Sequence, residues 1–347
     1  MTSPPLDERS REVLKSIIQL HVTTGEPVGS ESLARALGRT LSAATLRNTM
    51  AELEKKGYLE HPHTSAGRQP TDEGYRVYVD SIMSHASLPA REMAALEAGL
   101  RGLEGSPEQV IEKTSALLSR HSGKVGFVLV PDVARATLRR VDLVRLPYPR
   151  ILVVLVSLTG LVTHRIIEFE EEMSQEELQA CANYLNAHFS GLGLDAIRGR
   201  LLELMQQEMA LYDSLLKRVV AVGGRAFSEG GEADLYIEGT SKLLDAPELK
   251  DLDHMRALFK TFEEKGRLVK ILNACLSMNG VRITIGHENP DPDLRQVAVV
   301  TATIPLDAEG AWGLGVVGST RMEYARMIAL VEHVARALNR TLQELRS

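Results

Sequence analysis

A chain of 347 residues is long enough for two or three domains, and its 44% hydrophobic and 25% charged content is ordinary for a globular protein. A net charge of −6 gives no general support to nucleic-acid binding, so any DNA-reading surface has to be a local patch. The longest apolar run, 151–158, is too short to span a bilayer, the N-terminus lacks the apolar stretch of a signal peptide, and Cys181 and Cys275 have no CxxC spacing; no membrane association and a cytoplasmic location are expected.

The first helix is predicted over 6–22, with Val13, Leu14, Ile17, Ile18 and His21 inward, and 23–25 ends it. A short helix over 30–37 buries Leu33, Ala34 and Leu37, and the tight turn 38–41 contains Gly38. Ser42 is a good N-cap for a third helix, in which Leu46, Met50 and Leu53 fall at i, i+4 and i+7, with Gly57 beyond its end. With that stripe buried, the opposite face carries Ser42, Ala43, Thr45, Arg47, Asn48 and Thr49. In a helix-turn-helix the early residues of the second helix enter the major groove. Arg47 suits guanine or a phosphate and Asn48 suits adenine; the bland alternative is a merely solvated surface. A hairpin follows, 58–61 returning at Arg68-Gln69 with its tip at 65–67, which places a wing beside the recognition helix. His63, Thr64, Ser65 and Arg68 then offer donors to phosphate or the minor groove. Thr71 caps a further helix through Tyr75, Tyr78, Val79 and Ile82.

A polar, helix-prone connection covers 85–120, interrupted at 105–107. Strand-rich segments follow at 124–131, 138–145, 151–158 and 162–168, then helices at 174–186, 195–222 (broken by 229–232) and 253–276. Strands return at 281–287, 295–304 and 313–318 before an amphipathic helix over 322–345. Strands, helices and strands in that order suggest one domain interrupted by a helical insertion; two successive α+β domains are the alternative.

No motif supports catalysis, so no enzyme, cofactor or metal is expected. His287-Glu288 lacks a second His at metalloprotease spacing, Gly191-Leu192-Gly193 lacks the third glycine of a dinucleotide fingerprint, and no Walker or GxSxG sequence occurs. Arg321 and Glu323 suit either an effector site or an ion pair or cap anchoring the last helix.

The run Leu46-Arg47-Asn48-Thr49-Met50-Ala51-Glu52-Leu53-Glu54, then Gly57-Tyr58-Leu59, Pro62-His63-Thr64-Ser65-Ala66-Gly67-Arg68 and Pro70-Thr71, closely resembles the HrcA family of bacterial heat-inducible transcription repressors. Gly286 with Glu288, and Gly315-Val316-Val317-Gly318-Ser319-Thr320-Arg321-Met322-Glu323-Tyr324, add a second match. The likeness runs over essentially the whole length. It implies an α+β multidomain protein: an N-terminal winged helix-turn-helix (1–83), linker helices (84–120), and a GAF-like α/β domain in two parts (121–171 and 255–347) interrupted by an inserted, mostly helical dimerisation domain (172–254). It further implies a homodimer that binds the CIRCE inverted repeat in double-stranded DNA and represses chaperone operons, with the chaperonin GroEL keeping it active. A ligand-responsive winged-helix regulator, sensing a small molecule through the GAF-like domain, is the alternative. The dimer interface is expected on the apolar helical faces within 173–222. One departure is Ser319, where the family usually has Pro.

Overall fold

The computed structural model describes residues 6–62, 67–83, 87–101, 107–130, 137–158, 160, 162–206, 214–227, 235–246, 249, 251–276, 280–306 and 310–344. Among these, helices and antiparallel sheets are mixed in an α+β chain. No helix among them is long and apolar enough to cross a membrane.

The N-terminal unit contains α1 (Glu8–Thr24), α2 (Ser30–Ala36) and α3 (Ala43–Lys55). Two short paired strands follow, β1 (Leu59–Glu60) and β2 (Gln69–Pro70), then α4 (Asp72–Val77), extended by a π-type turn over Tyr78–Ile82. Three of these helices start where a side chain accepts an otherwise unpaired backbone N–H. Asp7 accepts from Ser10 at 2.7 Å, Ser42 from Thr45 at 3.1 Å and Thr71 from Gly74 at 3.1 Å. Val13, Leu14, Ile17 and Ile18 of α1 then meet Leu33 of α2 and Leu46, Met50 and Leu53 of α3, all essentially inaccessible.

In the body, α5 (Ala90–Arg101) and α6 (Pro107–Ser122) precede β3 (Val125–Leu129). Next come β4 (Leu138–Arg145), β5 (Arg150–Ser157) and β6 (Val162–Glu168), then α7 (Gln175–Phe189), α8 (Leu194–Gln206) and α9 (Ser214–Ala226). The chain continues through β7 (Leu235–Glu238), α10 (Leu252–Glu263), α11 (Lys265–Cys275), β8 (Val281–Ile285), β9 (Val297–Leu306), β10 (Gly310–Ser319) and α12 (Tyr324–Glu344).

Five strands form one antiparallel sheet in the order β7-β3-β10-β9-β8. Alternate residues face opposite ways. Val128, Val300, Leu314 and Val316 share a core with α6 and α12, while Val125, Phe127, Val299 and Val317 share another with α10 and α11. The remaining strands form a separate sheet, β4-β5-β6. Its inner face (Val141, Leu143, Val153, Leu155, Ile167) packs with Leu178, Leu185, Ile197 and Val219 of α7, α8 and α9 in a core of its own.

This pairing divides the chain differently from the sequence reading. The strands over 138–168, assigned there to the same domain as 121–131, pack instead with α7, α8 and α9, the helices expected in the insertion. The strand β7, inside the expected insertion and not anticipated, returns to pair with β3. Valine-rich strands announce that they are buried but not which sheet they join. The segment expected as a linker contains α6, whose Val110, Ile111 and Leu118 are fully buried under the main sheet. The helix expected over 253–276 is broken at Glu264, where ψ is 73°, within the polar stretch 263–267 that interrupts its apolar stripe. The helix expected over 195–222 is described as α8 and α9; 207–213, and the breaker at 229–232, lie outside the described residues. Both cysteines are buried and unpaired, and burial pushes the Cys181 thiol up to about 11.

Candidate nucleic-acid interface

The apolar stripe of α3 decides what its other side presents. With Leu46, Met50 and Leu53 buried, Ser42, Ala44, Arg47 and Asn48 are exposed and Thr45 is half-buried. Ser42 and Thr45 also lie hydroxyl to hydroxyl at 2.9 Å, so both are held in the cap at the positive end of the helix. Thr49, grouped with the exposed face from the sequence, is instead 7% exposed, its hydroxyl donating to the Thr45 carbonyl at 3.3 Å. Position 49 lies beside Met50 and Leu53 on the helix surface, so its small side chain is covered by the core edge.

A cation that sequence reasoning missed lies three residues before the cap. Arg39 is exposed and holds φ at +58°, a left-handed conformation costing a non-glycine residue about 1 kcal/mol. Gly38 before it is left-handed too, at +62°. The glycine advertised a turn, but nothing in the sequence shows that the turn extends through an arginine.

The hairpin is fastened on two sides. Arg68 pairs backbone to backbone with Val28 at 2.8 and 2.9 Å, adding the stretch before α2 to the ribbon. Gly67 permits this approach: a Cβ there would lie 2.4 Å from the Val28 carbonyl carbon. The Arg68 side chain turns back to Glu54 at the end of α3, with Nε and Nη2 each 2.9 Å from Oε2, and is only 14% exposed. The donor expected at a phosphate is therefore engaged in bracing the ribbon against α3. His61 approaches the same carboxylate at 3.7 Å. His63, Thr64 and Ser65, the other expected contacts in the hairpin, lie outside the described residues.

Behind the hairpin, the N-terminal unit docks on the body through contacts the sequence did not pair. Asp72 accepts from the backbone N–H of His287 at 3.0 Å and lies 2.6 Å from its Nδ1. Arg76 grips Glu288 with Nε and Nη2 at 2.7 and 2.5 Å, and donates to the Ile283 carbonyl at 2.7 Å. Its ordinary pKa is raised further by that carboxylate. Arg321 donates to the Val22 carbonyl at 2.8 Å near the end of α1, and the Tyr75 and Tyr324 rings lie 5.7 Å apart. Glycine suits position 286, which holds φ at +52° and where a Cβ would displace the Asp72 carboxylate 1.9 Å away. The hydrogen bond from Arg321 runs to the end of α1, a contact that neither sequence option for this residue named. Ser319 is buried, with its hydroxyl 3.3 Å from the Arg321 carbonyl. Among the described residues no group of three His, Cys, Asp or Glu side chains is placed to hold a metal.

Comparisons with known proteins cover the chain almost end to end. The family model for the HrcA protein C-terminal domain matches residues 108–328. A heat-inducible transcription repressor HrcA of Geobacter sulfurreducens is 40% identical over 97% of this chain and 98% of its own length. That of Syntrophobacter fumaroxidans is 37% identical over 98% of each, and that of Xanthomonas axonopodis pv. citri 37% identical over 98% of this chain and 97% of its own. A crystal structure of a hypothetical protein superposes with a TM-score of 0.61 at 23% identity, covering 98% of this chain and all of the other, and speaks to the fold alone. The chain belongs to the HrcA family of heat-inducible transcription repressors.

Proposed function

We propose that this repressor acts as a homodimer on the CIRCE inverted repeat upstream of chaperone operons, reading it with a winged helix whose recognition helix is α3. The observation that carries this is the exposed, capped N-terminal face of α3, with Arg47 and Asn48 projecting from a helix whose opposite side is fully buried. Arg47 reaches guanine or phosphate and Asn48 reaches adenine, each worth about 1–3 kcal/mol of discrimination. Ser42 and Thr45 bring the helix end and its dipole to a phosphate. His63, Thr64 and Ser65 contact phosphate or the minor groove from the wing, which Arg68 supports through Glu54. The five-stranded sheet with its helices corresponds to the GAF-like domain, and the unit over 138–227 to the inserted dimerising one.

The outer face of β4-β5-β6 supports the dimer. Its cross-strand rows read Val144-Leu152-Ile166, Asp142-Val154-His164 and Arg140-Val156-Val162, with Ile166 55%, Val162 48% and Val144 41% exposed. Such a patch on a sheet is suited to burial against a second copy. In this reading the interface lies on the sheet and not on the helical faces within 173–222, of which Leu178, Leu185, Ile197 and Val219 already pack in a core with the sheet's inner face. GroEL keeps the repressor competent, and heat withdraws it to other clients.

The test is a titration against a duplex carrying the inverted repeat and a scrambled duplex, with Arg47→Ala in parallel. Binding to the repeat alone, relaxed by the substitution, supports the reading. Equal weak binding to both, with and without chaperonin and ATP, overturns it.

A further inference from the structure

Two kinds of contact hold the N-terminal unit on the body, and they constrain different things. Leu14, Ile17 and Ile18 of α1 belong to the same apolar core as Leu330 and Val331 of α12. Apolar burial is non-directional, so it makes the two parts adhere and leaves the angle between them soft. The polar contacts are directional. Asp72 and Arg76, one turn apart on α4, meet the adjacent His287 and Glu288 in the turn Gly286–Glu288 between β8 and β9. Arg76 grips Glu288 with two nitrogens, and Asp72 holds both the backbone N–H and the ring of His287.

This clasp is braced at both ends. On the body, Glu288 also accepts the Ile285 N–H at 2.8 Å. The buried amide of Asn289 donates to the carbonyls of Gly286, Leu294 and Val297, each at 2.9 Å, which ties the turn to the start of β9. On the other side, the Thr71 hydroxyl caps α4 and donates to the Gly57 carbonyl at 2.6 Å, just past the end of α3. Gly74 lets α4 lie close to the chain at Tyr58, where a Cβ would fall 2.2 Å from the carbonyl oxygen. A line of short polar contacts thus runs from the end of α3 through α4 to the five-stranded sheet.

We propose that the Asp72–His287 and Arg76–Glu288 clasp determines specificity without touching DNA: by fixing the angle of α3 on the body, it sets which spacing between operator half-sites a dimer accepts. The proposal rests on the reading of the protein as a dimer on an inverted repeat. Each added base pair turns one half-site by about 35° around the duplex and moves it about 3.4 Å. Only rigidly held recognition helices can tell one spacing from the next. With Arg76 23% and Glu288 37% exposed, their pair lends the fold little stability, and its two-point grip fixes orientation instead. Base readout by Arg47 and Asn48 is left as it was.

The test titrates the full chain against duplexes whose inverted repeat has its spacer lengthened or shortened by one or two base pairs. A single half-site and a scrambled duplex run beside them, with Arg76→Gln, Glu288→Gln and the double variant. The wild type should lose at least about tenfold in affinity for the first base pair changed, and each variant about threefold or less. The double variant should match the single ones, because the two residues act through one contact. Half-site affinity and melting temperature should stay at wild-type values, a pattern that damage to the fold would not give. A spacer profile shared by wild type and variants overturns the clasp's role. So does a variant whose loss on the half-site equals its loss on the whole repeat. A wild type that binds no spacer better than the scrambled duplex overturns the operator reading, and this proposal with it.

Discussion

The two body sheets are written in the same residue vocabulary and end in different surroundings. In the five-stranded sheet both faces are sealed by helices, and Val125, Phe127, Val128, Val299, Val300, Leu314 and Val316 are all close to fully inaccessible. In the three-stranded sheet only one face is sealed, and valine, leucine and isoleucine line the other in the open. The difference teaches that strand composition reports burial in the finished assembly. Among the described residues, Val144, Val162 and Ile166 keep that second face open to solvent.

The largest effect should come from the sealed sheet. Trp312→Ala removes a side chain 1% exposed between β10 and the helices, and should cost about 3–5 kcal/mol in urea unfolding, whereas Ile166→Ala on the bare face should stay within about 1 kcal/mol for the separated protomer. Similar losses at both sites would erase the contrast. Next, Ile166→Asp or Val154→Asp should shift the protein from dimer to monomer in sedimentation while leaving far-ultraviolet circular dichroism intact. A persistent dimer would place the interface elsewhere.

The same opposition of covered and uncovered faces runs through α3. Arg47→Ala should lower discrimination between the inverted repeat and a scrambled duplex by roughly 10- to 100-fold, with little change in melting temperature. If the loss were equal on every sequence, Arg47 would be a phosphate contact. The smallest effect concerns His21, where burial holds the imidazole below its usual range. The unfolded chain then binds more protons than the folded one once pH falls below about 6.5, so stability present above that value declines on acidification. His21→Asn, which retains a donor toward the Glu26 carbonyl, should flatten the decline; an unchanged pH profile would assign it to other groups.

Much of the N-terminal unit was legible because its signals are local. Ser42 and Thr71 cap helices where their residue types predicted, and the spacing of Leu46, Met50 and Leu53 named the buried side of α3. The strands over 138–145 and 162–168 were read to the residue. What stayed hidden was set by partners distant along the chain. Nothing near Arg68 announces that Glu54 will take its guanidinium, and nothing near His287 announces Asp72. The split of the strands into two sheets likewise depends on pairing between segments more than a hundred residues apart, β3 with β7 and with β10.

That distance has a consequence for how the molecule comes into being. Arg76 meets Glu288 across 212 residues, and Val22 meets Arg321 across 299. At translation rates of 5–20 residues per second, roughly 10–40 s separate the synthesis of Arg76 from that of its partner. The residues of α1, α2 and α3 thus emerge first, before the sheet and last-helix residues (Val128, Val300, Leu314, Val331) with which they share one continuous core. The seam closes only near the end of synthesis, which makes the orientation of α3 the last property the nascent repressor acquires.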